Sequence, residues 1–272
     1  MKNIGLLGCG TIGTQIALSI DSGKINAKLT HVYDQDKKQA EKLVEKLQVK
    51  PQIVNNSHLL SSNSTDIIVE AASQTAVKDV ALSILQNRKE LVIMSVGALL
   101  DESIREVLFD ACREFERKIY LPSGVIAGID ALKSLKNELD SVTLITTKHP
   151  DSLRGAKFFE TSDIKIDGIT DSVVIFNGNA KKAVELFPAN VNVAALLSLA
   201  GIGSTKTMVQ IVADPNASTN THKVLASGRF GSIQIELKNI PDPNNPKTSK
   251  LASLSAIQLL DEICSNKIKI GT

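Results

Sequence analysis

Tryptophan is absent from this chain, and aromatic residues make up only 3% of its 272 positions. That leaves little for stacking against nucleic-acid bases. An excess of charge of one sign is also lacking: 31 Lys and Arg against 29 Asp and Glu leave a net formal charge of +2, too small to argue for a polyanionic partner. Only three cysteines are present, Cys9, Cys112 and Cys264, far apart and odd in number. They read as reduced thiols of a cytoplasmic protein and exclude a disulfide framework. No apolar run reaches the roughly 18 residues needed to span a bilayer, and the N-terminus enters an apolar strand directly, without the pattern of a secretory leader. The four histidines, His31, His58, His149 and His222, have no partners at metal-ligand spacing, so no metal site is expected. What remains is a chain with 43% apolar residues, long enough for one large or two modest domains with a well-buried core.

The first part of the sequence alternates short apolar runs with helical patterns. Strands are expected at Ile4–Leu7, Leu29–Asp34, Asp66–Glu70, Leu91–Ser95 and Lys118–Leu121. Helices are expected at Thr11–Ser22, Gln35–Leu47, Ala76–Gln86 and Asp101–Arg117. This alternation implies an α/β, Rossmann-type doubly wound parallel sheet covered on both faces. After Pro122 the rhythm changes to α+β. A helix near Val125–Lys136 precedes strands at Ser141–Lys148, Ser172–Asn177, Met208–Ala213, His222–Ala226 and Ser232–Leu237, with a helical stretch from Ala180 to Ala200 broken at Pro188. These strands suggest a second domain with an open sheet. Ile240–Pro246 reads as a loop, and Lys250–Ile263 as a last amphipathic helix. The expected division is residues 1–122 for the first domain, with 247–272 packing back on it, and 123–246 for the second.

The run Gly8-Cys9-Gly10-Thr11-Ile12-Gly13 stands between the first strand and the first helix. A Gly-x-Gly-x-x-Gly turn in that setting suits a dinucleotide pyrophosphate: Gly8 permits the tight turn, Gly10 lets backbone approach the phosphates, and Gly13 lets helix pack on strand. The helix start offers N–H groups to the anion, Thr11 and Ile12 among them. Asp34 lies twenty-one residues beyond Gly13, where a carboxylate can accept from ribose hydroxyls and repel a 2′-phosphate. NAD is therefore the expected cofactor. Lys37 and Lys38 nearby soften the repulsion and keep NADP open. The segments Glu70-Ala71-Ala72-Ser73 and Ser95-Val96-Gly97-Ala98 fall at the carboxyl edge of the expected sheet, where ligands bind; small residues such as Ala71 leave room for ribose and nicotinamide, or serve helix–sheet packing. Pro122–Gly128 is expected to open a helix, either offering N–H groups to a carboxylate or amide or being capped by Ser123. His222 follows the polar stretch Asp214–Thr221 and is, on residues alone, either a solvated loop histidine or a catalytic one.

Several segments of the second half together resemble the L-aspartate dehydrogenase family. They are Phe187-Pro188-Ala189-Asn190-Val191-Asn192-Val193, Leu199-Ala200-Gly201-Ile202-Gly203, Ala213-Asp214-Pro215, Asn220-Thr221-His222, Ser123–Leu132 and Asn245-Pro246-Lys247-Thr248-Ser249. The family pattern Lys-Pro-Pro appears here as Lys148-His149-Pro150. The resemblance implies a Rossmann domain followed by a substrate-binding and dimerisation domain, hence a homodimer. It implies reversible NAD(P)-dependent oxidation of L-aspartate to iminoaspartate, which water converts to oxaloacetate and ammonia, and a role in supplying de novo NAD synthesis. His222 matches the family's active-site histidine, and Ala127, Asn190 and Asn192 match or adjoin cofactor-contacting positions. An imidazole that titrates near the working pH would suit proton transfer. The substrate carboxylates would need cations or N–H groups. Lys148, Arg229, Lys206, Lys247 and the turn Ser123–Val125 are candidates that the sequence does not rank. Two other readings stay open: a different two-domain reductase resembling homoserine dehydrogenase or dihydrodipicolinate reductase, and an NAD(H)-binding sensor without turnover.

Overall fold

The computed structural model describes residues 1–61, 64–188, 192–242, 245–266 and 268–270, without the side chains of 241–248. The chain forms two compact units, Met1–Pro122 with Ala252–Ile270, and Ser123–Leu251.

In the first unit the order is β1 (Lys2–Leu7), α1 (Thr11–Asp21), β2 (Ala27–Tyr33), α2 (Lys37–Glu45), β3 (Gln52–Ile53), β4 (Ile67–Glu70), α3 (Gln74–Gln86), β5 (Glu90–Ile93), α4 (Glu102–Glu114) and β6 (Ile119–Tyr120). The six strands are parallel and lie in the order β3-β2-β1-β4-β5-β6. Strand β1 sits in the middle, and the chain leaves it first to one side and then to the other. That reversal between β1 and β4 opens a crevice at their carboxyl ends. Ile4, Leu6, Ile67, Val69 and Val92 of the sheet are fully buried against Ile16 and Ala17 of α1 and Ala40 and Leu43 of α2. Each of the Ile, Leu and Val side chains contributes about 1.5–3 kcal/mol by leaving water. Helix α3 packs on β4, β5 and α4. The long C-terminal helix (Lys250–Cys264) adds Ala256, Ile257 and Leu260 to the same core. The doubly wound α/β class expected from the sequence is what forms.

The second unit runs α5 (Ile129–Ser134), β7 (Leu139–Lys148), α6 (Phe158–Thr161), β8 (Val173–Asn179), α7 (Ala180–Leu186), α8 (Asn192–Ala200), β9 (Met208–Ala213), β10 (Asn220–Gly228) and β11 (Gly231–Asn239). After these come β12 (Pro241–Asp242) and β13 (Asn245–Ser249), and the C-terminal helix is α9. The main sheet has the order β11-β10-β7-β9-β8, antiparallel except for the β7/β9 pair. One face is buried: Val142 and Leu144, Val209 and Ile211, Val224 and Ala226 pack with Leu132 of α5, Ala180 and Ala183 of α7, Phe187, and Ala194 and Leu197 of α8. The other face, with Ile145, Val212 and Leu225 among threonines and Lys223, is half-exposed.

Two local expectations are corrected. The stretch 240–246 is not wholly a loop, since β12 and β13 pair antiparallel. The helix after Pro122 begins only at Ile129; Gly128 precedes it in the left-handed region at φ 73° and Ser123 does not cap it. Gly124, at φ 65°, puts a second left-handed residue into the same segment. Left-handed backbone suits glycine and cannot continue a right-handed helix, so 123–128 is turn.

Candidate active site: a nucleotide crevice and a polar sheet end

The glycine turn lies at the mouth of the β1/β4 crevice. Gly8 has φ +97°, and a Cβ there would stand 2.5 Å from the Ala71 carbonyl oxygen. A Cβ at Gly13 would stand 2.0 Å from the Gly8 carbonyl oxygen, so the start of α1 presses directly on the turn. Gly10 differs: a Cβ would meet nothing within 4 Å. Gly10 also caps α1 with backbone alone, without a side-chain hydrogen bond. Open space in front of a backbone-only helix start fits a pyrophosphate, which needs close approach and free N–H donors. Thr11 and Ile12 form the first turn of that helix and are half-buried. Asp34 follows β2 and reaches back to the turn: its Oδ2 accepts from Cys9 N at 2.7 Å and its Oδ1 from Asp36 N at 2.9 Å. A carboxylate has capacity for further donors, so ribose hydroxyls suit it. Burial, with Asp34 adding to it, pushes the Cys9 thiol up to about 12, so Cys9 stays a neutral packing residue. Ala71 follows β4 and donates to Leu7 O at 2.7 Å. The predicted positions Gly8, Gly10, Thr11, Ile12, Gly13, Asp34 and Ala71 thus all lie around one crevice edge, and their chemistry fits NAD.

One residue of this edge escaped the sequence analysis as an individual. Glu70, the last residue of β4, is completely buried. Its Oε1 accepts from Ala72 N and Ser95 Oγ, both at 2.8 Å; its Oε2 accepts from Ser95 N at 3.0 Å and Met94 N at 3.2 Å. The carboxyl ends of β4 and β5 are tied together through this one side chain. Burial raises its pKa against the pull of those bonds. An acid at the end of an otherwise apolar Ile-Ile-Val run was the available signal.

The second unit carries a different cluster. His222 is the third residue of β10 and is only 3% exposed; the expectation of a polar loop is corrected. It pairs with Thr146 of β7, whose Oγ1 lies 3.1 Å from His222 Nδ1. Two residues further along β7, on the same face, Lys148 is 4% exposed. The inward residues of β7 read Val142, Leu144, Thr146, Lys148, and those of β10 read Ala226, Val224, His222, Asn220. The buried sheet face therefore turns from apolar to polar at one end. Burial, and after it the Lys148 charge, depresses the His222 pKa to about 3. Burial lowers Lys148 to about 8. The imidazole is neutral at pH 7, and the group that titrates near the working range is Lys148, which reverses the expectation for the histidine.

The other proposed cations separate from this cluster. Arg229 lies in the β10–β11 turn beside Glu138, its side chain 76% exposed. It is seven residues from His222 along the strand, a distance of about 23 Å. Lys206 is exposed and precedes β9 at the end of the sheet opposite Lys148. The side chain of Lys247 lies outside the described ones, as does Asn190. Ala127 and Asn192 belong to the second unit and are exposed, Ala127 in the turn before α5 and Asn192 at the start of α8. Among the described residues no cluster of His, Cys, Asp or Glu is placed to hold a metal ion.

A doubly wound unit with an open glycine turn and an acid after its second strand, joined to a unit with a buried lysine–histidine pair, has the layout of a nicotinamide-dependent dehydrogenase with its own substrate domain. Residues 8–122 match the family model described as homoserine dehydrogenase, NAD binding domain, and residues 130–263 match aspartate dehydrogenase, C-terminal. The chain is 65% identical over its whole length to the L-aspartate dehydrogenase of Nitrosopumilus maritimus and 43% identical to that of Methanocella arvoryzae, covering all of both. The crystal structure of aspartate dehydrogenase from Thermotoga maritima superposes with a TM-score of 0.76 at 27% identity, over 99% of each chain. This chain belongs to the L-aspartate dehydrogenase family.

Proposed function

We propose that the protein catalyses the NAD(P)-dependent, reversible oxidation of L-aspartate. Aspartate loses a hydride from Cα and a proton from nitrogen to give iminoaspartate, which water converts to oxaloacetate and ammonia. The observation that carries this reading is the buried Lys148–His222 pair on one sheet face of the unit that matches the aspartate dehydrogenase model. When bound, the coenzyme supplies the hydride acceptor; the chain supplies binding and proton handling. Lys148, a buried cation, gains most from an anionic partner and pairs with a substrate carboxylate. The neutral His222 then has an anion beside it as well as the Lys148 cation. That raises its proton affinity and lets it take the proton of the substrate ammonium. Asp34 favours NAD over NADP.

The half-exposed face of the second sheet, with Ile145, Val212 and Leu225, supports a homodimer formed through that face; a single-chain mass by light scattering would refute it. Residence in the cytoplasm and supply of iminoaspartate to nicotinamide nucleotide synthesis complete the reading. Among the described residues no helix is long and apolar enough to cross a membrane.

The test is coenzyme reduction followed by near-ultraviolet absorbance with a panel of L-amino acids and homoserine, using NAD and NADP. L-Aspartate should be the preferred substrate. His222→Ala should lower kcat by about 10²–10⁴-fold with NAD affinity unchanged. Preference for homoserine, or NAD binding without any amino-acid-dependent reduction, would overturn the assignment.

A further inference from the structure

The polar end of the sheet extends one strand beyond the lysine–histidine pair. Thr221 pairs with Thr147, so the next position of that register sets Asn220 beside Lys148. Asn220 in turn pairs with Asn239, the last residue of β11. Lys148, Asn220 and Asn239 thus form a row across β7, β10 and β11, on the face that carries His222. Directly opposed side chains start about 4.5–5.5 Å apart, and diagonal ones about 7–8 Å. The long lysine and the two amide side chains can converge from such a row on one planar carboxylate and set it next to the imidazole.

All three residues are more than nine-tenths buried: Lys148 is 4%, Asn220 3% and Asn239 7% exposed. Asn239 is set apart because its Nδ2 is buried and has no hydrogen-bond partner among the described residues. An amide donor held dry and unpartnered costs stability, so a fold that keeps one on this face has a use for it. The row carries one cation and amide donors, the chemistry that receives an anion of fixed plane.

We propose that Asn239 is a substrate-binding residue: with Lys148 and Asn220 it holds one carboxylate of the dicarboxylate substrate beside His222. The inference rests on the proposed oxidation of L-aspartate and adds a specificity-determining residue to it. An amino acid without a second carboxylate would leave the buried Nδ2 unpaired, which disfavours it as substrate.

The test uses Asn239→Ala and Asn239→Asp in the full-length chain. Asn239→Ala removes a buried donor that bonds to nothing among the described residues, so Tm should not fall. The KM for L-aspartate should rise by about ten- to a hundredfold, the loss expected for one hydrogen bond to a charged group. The KM for NAD should not move. Asn239→Asp sets a carboxylate against a carboxylate and should raise the KM for L-aspartate further. Thermal shift with succinate, which needs neither coenzyme nor turnover, should show stabilisation of the wild type and much less of either variant. Should Asn239→Ala not fold, Asn239→Ser is read in the same way. An unchanged KM for L-aspartate, or a fall in Tm with both KM values altered together, overturns the proposal. Absence of aspartate oxidation in the wild type overturns the reaction instead; the succinate arm then still decides the row.

Discussion

Replacing Glu70 separates two roles for a buried carboxylate, hydrogen-bond acceptor and source of charge. In Glu70→Gln the amide oxygen can take the Oε2 place and keep Ser95 N and Met94 N, while the amide NH2 takes the Oε1 place. There it meets Ser95 Oγ, a hydroxyl able to turn and accept, and Ala72 N, on a residue at the surface. One hydrogen bond is lost near solvent, costing about 1 kcal/mol. In Glu70→Ala, Met94 N keeps its second acceptor, Glu70 O, at 3.1 Å, but Ser95 N is orphaned in the core and a cavity opens. Together these cost about 3–5 kcal/mol. With no tryptophan to report, urea unfolding is followed by circular dichroism. Glu70→Ala should also raise the KM for NAD, because the ends of β4 and β5 are no longer tied. Equal destabilisation by the two variants would refute the hydrogen-bond account and assign the role to the charge. A loss below about 1 kcal/mol in Glu70→Ala would refute both.

The glycine turn makes a paired prediction. Gly10→Ala finds open space at an ordinary φ of −70°, so unfolding should be unaffected while NAD binding, by titration calorimetry, weakens tenfold or more (about 1.4 kcal/mol); Gly13→Ala drives a Cβ into the Gly8 carbonyl and should lose stability and binding together. Gly10→Ala that binds NAD normally would remove the phosphate from this turn. The buried pair predicts a pH dependence of stability. His222 titrates near 3 folded and 6.5 unfolded, so the unfolded chain binds the extra proton between those values. Its contribution is complete above pH 6.5 and is lost as pH falls towards 3, by up to about 1.4 kcal/mol per pH unit. Lys148, at about 8 folded against 10.5, acts in the same sense, with stability rising from pH 8 to 10.5. His222→Asn should flatten the acid limb alone in urea titrations; an unchanged acid slope refutes the burial of a neutral imidazole.

The nucleotide half was largely legible because its signals are local. Gly8 to Gly13 must be contiguous to turn a strand into a helix, and Asp34 directly follows the next strand. The polar end of the second sheet is assembled from residues 146, 148, 220, 222 and 239, and their meeting depends on register. His222 was therefore read at the edge of a polar loop, and Asn239 went unnoticed. A signal did exist: every second residue from Val142 to Lys148 and from Ala226 back to Asn220 changes from apolar to polar in the buried phase. An inward polar residue at a strand end gives little warning in sequence, where the same letter reads as the start of a turn. Pro122–Gly128 failed for a related reason, as the left-handed backbone of Gly124 and Gly128 appears only in three dimensions.

The electrostatics of the polar end favour a dianion over a neutral ligand. Before substrate arrives, a lysine and an imidazole compete for the same dry space, and each is pushed towards its neutral form. A carboxylate beside Lys148 reverses both pressures at once: it stabilises the ammonium and makes protonation of the adjacent ring cheaper. In the proposed reaction, proton acceptance by His222 is thereby coupled to occupation of the lysine. A substrate lacking the carboxylate would leave the ring a weak base as well as lose a contact. Discrimination then falls on kcat as well as KM, because the charge that binds the substrate is the same charge that readies the base.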